Sequence, residues 1–170
     1  SPTIYVDGDV SSTLVAGSWQ FVVITTNTAI DVNNLTIGRI GATSFEGSMC
    51  SVRMWASVLN AANVERLYTN PELLLPRRSF FFNMVAYWPL MEGDANIDTV
   101  FEHVGSKHGT PTGLTATGNE SGIVPQIGLL PSNYIAVWES NCYVNIGDSA
   151  SLDITGDITI ALWMYTTQIN

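Results

Sequence analysis

SFEGSMCSVRMWASVLNAANVERLY, Ser44 to Tyr68, holds a strand and a helix back to back. A glycine-marked turn at Gly47 leads into Met49 to Trp55, which alternates with Val52 on one face and Arg53 and Trp55 on the other. The alternation predicts a strand. From Ala61 to Tyr68 the period changes: Val64, Leu67 and Tyr68 fall on one face of a helix that Asn60 is placed to cap. Asn70-Pro71 stops it, because the residue before a proline is driven out of the helical region.

Outward from this stretch the signal is β. Trp19 to Thr26 (WQFVVITT) is rich in β-branched and aromatic residues, and Leu35-Thr36-Ile37 is a short strand stopped by Gly38. Pro71 to Arg78 (PELLLPRR) reads as a connector, and Phe80 to Leu90 resumes the strand pattern. Glu92 to Leu114 is a polar, glycine-containing stretch, followed by strands at Tyr134 to Trp138, Cys142 to Ile146 and Ile158 to Thr166. In the last of these neither alternating set is truly polar, so both faces are expected to be covered. Short strands separated by turn signals predict an all-β, antiparallel two-sheet β-sandwich, or jelly roll, with one short helix near 61–68.

The 170 residues suit one domain, and 46% hydrophobic against 12% charged residues predicts a real core. A net charge of −9, with only six basic residues, argues against nucleic acid and against an anionic membrane surface. No apolar run approaches the roughly 20 residues of a membrane span, so membrane insertion is not expected. The opening SPTIYVDG carries neither a signal peptide nor an initiating Met, and the segment is expected to have been excised from something longer.

Several motifs resemble the laminin-G-like and concanavalin A-like jelly rolls of lectins and glucanases. Tyr87-Trp88-Pro89-Leu90, Glu102 to Thr110, Tyr143-Val144-Asn145-Ile146, Asp148 to Asp153 and Thr159 to Trp163 are similar, in order, to the first half of such domains. Gly17 to Val22, Leu35 to Gly38, Phe45 to Trp55 and Leu59 to Tyr68 resemble the second half, yet stand before the first. On this resemblance 1–70 is a back half, 71–79 a connector and 80–170 a front half. Neither half could cover its own apolar faces, so together they are expected to make one sandwich over 1–170. A circular permutation, a segment cut out of phase from a tandem array, and strand exchange with a neighbouring chain would each produce this order, and all leave self-association open. The single closed sandwich is the favoured reading.

The resemblance implies a lectin-like module. A sugar platform needs an exposed aromatic beside amide or carboxylate hydrogen-bonders. Trp138 and Tyr134, near Asn133 and Asn141, and Tyr5 beside Asp7 are the candidates, with core packing as the competing reading. Calcium is the candidate cofactor: Asp94, Asn96 and Asp98 have D-x-N-x-D spacing, and in related jelly rolls calcium sits near the residue matching Glu102. The competing reading is that these Asx residues only cap turns. Asp31, Asn33 and Asn34 form a second oxygen-rich turn. Glu92-Gly93-Asp94 does not alternate as a two-carboxylate glycosidase strand would, and His103 and His108 lack a nucleophile, so no catalytic residue is assigned. Cys50 and Cys142 are either a disulfide or two separately buried thiols. Asn34-Leu35-Thr36 and Asn119-Glu120-Ser121 match glycosylation sequons.

The expected function is therefore a non-catalytic, lectin-like glycan-binding module, extracellular or surface-exposed. The alternative is a structural or adhesive module of a surface, fibre or virion protein without a sugar site.

Overall fold

The computed structural model describes residues 1–29, 35–71, 83–90, 98–118, 134–138 and 141–166. It opens on a hairpin, β1 (Thr3–Val6) and β2 (Asp9–Val10), joined at Asp7-Gly8. Both turn residues have positive φ, 53° and 94°, which is the pairing a two-residue hairpin turn demands. The Asp7 carboxylate also accepts the Phe21 N–H at 2.8 Å and so ties the turn to the next strand. β3 (Trp19–Thr26), β4 (Leu35–Ile37), the pair β5 (Arg39–Ile40) and β6 (Thr43–Ser44), and β7 (Gly47–Trp55) follow.

Helix α1 spans Ala61–Thr69, one residue past the expected end. The Asn60 side chain accepts the Asn63 N–H at 3.0 Å, as the capping position predicts. Beyond it lie β8 (Met84–Trp88), β9 (Gly109–Thr112), β10 (Thr115–Gly118), β11 (Tyr134–Trp138), β12 (Tyr143–Ile146), a 3-10 turn at Ala150–Leu152, and β13 (Ile158–Thr166). β9 occupies the end of the polar stretch Glu92 to Leu114, and β10 follows it in chain to which the sequence pattern assigns no element. Apart from Pro71 the expected connector through Arg78 lies outside the described residues.

The fold is all-β with antiparallel sheets. The larger sheet has eight strands in the order β10-β11-β7-β13-β3-β1-β2, with β8 also on β7. β13 lies between β3 and β7, so strands from both ends of the chain share one ladder. The second edge of β7 is divided: Gly47 to Met49 pair with β11, and Val52 to Trp55 pair with β8. The division coincides with a bulge at Ser51, whose φ is 56° and whose N–H donates to the Pro89 carbonyl at 2.8 Å. Because of the extra residue, Met49 and Val52 face the same way although three positions apart. The smaller sheet has three strands, β4-β12-β9, and β5-β6 is a separate hairpin.

Each face of the large sheet has its own core. On one, Phe21, Trp55, Ala161 and Trp163 pack with Val64 and Leu67 of α1. Tyr68 of the helix stacks on Phe21 and Trp163 with ring centroids 6.3 and 5.9 Å away. On the other, Val52, Met54, Trp88 and Trp138 meet Ile37, Val144 and Ile146 of the small sheet. Fully burying each such side chain contributes about 1.5–3 kcal/mol. The alternation expected for β7 is observed: Val52 serves the small-sheet core, and Trp55 the helix-side core.

Candidate functional site

The small sheet has one dry face and one wet face, and its period-2 pattern sorts them. In β12, Val144 and Ile146 are buried, which turns Tyr143 and Asn145 outward. Asn145 stands opposite Thr36 of β4 and Thr110 of β9, and Tyr143 stands opposite Thr112. Directly opposed side chains on one sheet face lie about 4.5–5.5 Å apart, so these hydroxyl, amide and phenol groups form one patch.

Arg39 completes it. Gly38 has φ 83°, and this left-handed backbone reverses the chain after β4. A Cβ at Gly38 would overlap the Trp138 ring, so glycine serves both the turn and the core beneath it. The Thr36 hydroxyl donates to the Arg39 carbonyl at 3.0 Å. The Arg39 guanidinium carbon lies 3.5 Å from the centroid of the Tyr143 ring, a close cation–π contact. A hydrogen bond with the Thr112 side chain, and then the Arg39 charge, hold the Tyr143 phenol below its ordinary value. The patch therefore presents an aromatic ring, a planar cation, an amide and three hydroxyls to solvent. Sequence reasoning passed over Tyr143, although the Tyr-Val-Asn-Ile alternation already places it beside Asn145 on the polar face.

The residues singled out from sequence are dispersed. Trp138 is 1% exposed in the small-sheet core, which corrects its assignment as a stacking platform. Tyr5 is 8% exposed and belongs to the helix-side core, which corrects that assignment too. Asn141 is exposed in a left-handed turn with φ 68°. Tyr134 lies on β11, and Asn133 falls outside the described residues. Asp94 and Asn96 are outside them as well, as are Asp31, Asn33 and Asn34, while Asp98 is exposed.

Glu102 is 3% exposed, and its carboxylate is already occupied. Oε1 accepts the Tyr87 and Val104 N–H groups at 2.9 and 2.7 Å, and Oε2 accepts Gly105 N–H at 2.6 Å. Lys107 Nζ is 3.6 Å away. Burial alone would raise the carboxyl pKa; the three backbone donors and Lys107 outweigh it and hold it below the usual value. This corrects Glu102 from a calcium ligand to a carboxylate that fastens 102–105 to β8. Among the described residues no group of three His, Cys, Asp or Glu side chains is gathered to hold a metal. His108 Nδ1 accepts the Glu102 N–H at 3.1 Å, and His103 packs edge-on against Tyr87.

Cys50 and Cys142 are separate, buried thiols. Burial pushes Cys50 up to about 12, against the opposing pull of Arg53. Arg53 itself is 1% exposed; it donates to the Pro71 carbonyl at 3.2 Å and sits 5.3 Å over the Tyr87 ring. No helix among the described residues is long and apolar enough to cross a membrane. No family model, curated protein or solved structure matches this chain.

Proposed function

We propose that the chain is a non-catalytic glycan-binding module of the lectin-like jelly-roll kind, acting outside the cell or on a surface. The observation that carries this reading is the outward patch of Tyr143, Arg39, Asn145, Thr36, Thr110 and Thr112. A sugar ring offers apolar C–H faces flanked by hydroxyls, and the patch supplies a flat aromatic–guanidinium pair beside a fan of donors and acceptors. These six residues include no carboxylate, so they suit recognition and not two-carboxylate hydrolysis. Calcium enters the proposal as a helper at Asp94 to Asp98, where the oxygen spacing supports it.

The test is a glycan-array screen of the purified chain in calcium and again in chelator, repeated with Tyr143→Ala and Asn145→Ala. Binding to a defined sugar that falls at least tenfold in both variants is the expected result. An array silent in both buffers, or binding indifferent to both substitutions, would refute it. Loss in chelator alone would direct attention to Asp94 to Asp98.

A further inference from the structure

The polar face of the small sheet runs further than the patch at Tyr143. At the far side of β9, Gly109 exchanges both backbone hydrogen bonds with Val100, at 2.9 and 2.8 Å, as an antiparallel pair does. Val100 is 1% exposed and packs in the same core as Val144 and Ile146. Successive residues of extended chain point to opposite faces, so Phe101 turns outward, to the side of Asn145, Thr110 and Tyr143. It is 51% exposed.

Across the bridge its neighbour is His108, also exposed, and the two rings meet edge to face with centroids 5.4 Å apart. Hydrogen bonds fix the pair. His108 Nδ1 accepts the Glu102 N–H at 3.1 Å, so the neutral ring carries its proton on Nε2 and has a donor to offer. The Glu102 carboxylate in turn accepts the Val104 and Gly105 N–H groups, which anchors the chain that follows Phe101. An aromatic ring beside a nitrogen donor is the pairing that Tyr143 and Arg39 also make.

The spacing of the two platforms sets the size of what they bind. His108 lies four residues before Thr112, the partner of Tyr143, and Phe101 stands one strand beyond His108. At about 3.3 Å per residue and about 4.8 Å between strands, the Cα atoms of Tyr143 and Phe101 are about 16 Å apart. Asn145 and Thr110 lie between them on the same face. One sugar ring cannot reach both platforms, whereas a chain of linked rings can.

We propose, resting on the glycan reading above, that Phe101 and His108 form a second sugar subsite, and that the ligand is an extended, β-linked hexose chain lying across the small sheet. A β-1,4 linkage keeps successive rings in a straight ribbon, which suits platforms set along one sheet face. The net charge of −9 selects a neutral chain over an acidic one.

The test is isothermal titration of the wild type, Phe101→Ala and Phe101→Trp with β-1,4-linked glucose oligomers of one to six units, with circular dichroism of each. The expected result is wild-type affinity that rises at least tenfold from disaccharide to hexasaccharide. Phe101→Ala is expected to lose that gain while binding the disaccharide as the wild type does, and Phe101→Trp to keep it, with unchanged spectra. Affinity independent of length, or a gain that survives Phe101→Ala, would overturn the second subsite and leave the Tyr143 patch standing. A ladder silent at every length would overturn it too, and the array with Tyr143→Ala then shows separately whether the glycan reading falls with it.

Discussion

Removing the Glu102 carboxylate tests how the segment after β8 is held. In Glu102→Ala three backbone donors lose their acceptor at once. The Tyr87 N–H belongs to a buried residue, and stranding it costs about 1–3 kcal/mol. Val104 and Gly105 are exposed, so water replaces the carboxylate there and each loss is about 0.5–1.5 kcal/mol. The sum is about 2–6 kcal/mol, a large share of the roughly 5–15 kcal/mol that stabilises a typical domain. Glu102→Gln keeps the shape and loses the charge; since charged acceptors bind about twice as strongly as neutral ones, about half that loss is expected. Urea titration reads both as a lower midpoint with an unchanged slope. The pH dependence has a definite sign. The folded carboxyl titrates below its ordinary 4.5, so the stabilisation is complete above that value. As pH falls below it the unfolded chain takes up the proton first, and the stabilisation drains until the folded carboxyl protonates too. The gap between wild type and Glu102→Gln should therefore close on acidification. A loss under about 1 kcal/mol in Glu102→Ala, or a gap constant from about pH 7 to 3, would refute the reasoning.

Other substitutions probe the turns and the thiols. Gly38→Ala drives a methyl into the Trp138 ring at a left-handed position; about 3 kcal/mol of destabilisation is expected in the same urea assay, and a neutral result would contradict the packing. Ser51→Gly relieves a left-handed serine at the β7 bulge, and is expected to raise stability by about 1 kcal/mol; a lower melting temperature would oppose this. Both thiols are expected to resist a thiol-directed disulfide reagent in the native protein and to react fully in denaturant. Fast native labelling of Cys50 would contradict its burial.

Where side-chain pattern and local chain agree, the sequence is transparent. Trp19 to Thr26 and Ile158 to Thr166 coincide with β3 and β13, because a dense β-branched run has no other low-energy use. The β1-β2 hairpin carries a readable Asp-Gly turn signal, but its strands are too short for alternation alone to mark them. β9 contains Pro111, which belongs in a strand only at an edge, and β9 is an edge of the small sheet. Nothing local marks it as such. The candidate site was half legible: the alternation of Tyr143 and Asn145 is in the sequence. The meeting of Arg39 with Tyr143 is not, because it depends on the left-handed turn at Gly38 and on β4 pairing with a strand more than a hundred residues later. Trp138 was misplaced for the same reason: the room for its ring comes from a distant glycine.

The position of β13 has a consequence for how the protein is made. β3 and β7 flank the slot that β13 fills, yet about a hundred residues are translated between β7 and β13. At about 5–20 residues per second, a ribosome leaves that slot empty for roughly 5–20 s. Throughout that interval the nascent chain presents two unpaired strand edges and both sets of apolar side chains, with nothing local to close them. Biogenesis should therefore rely on holding factors during elongation, and its rate should follow the arrival of one late strand more than the stability of the finished sheet.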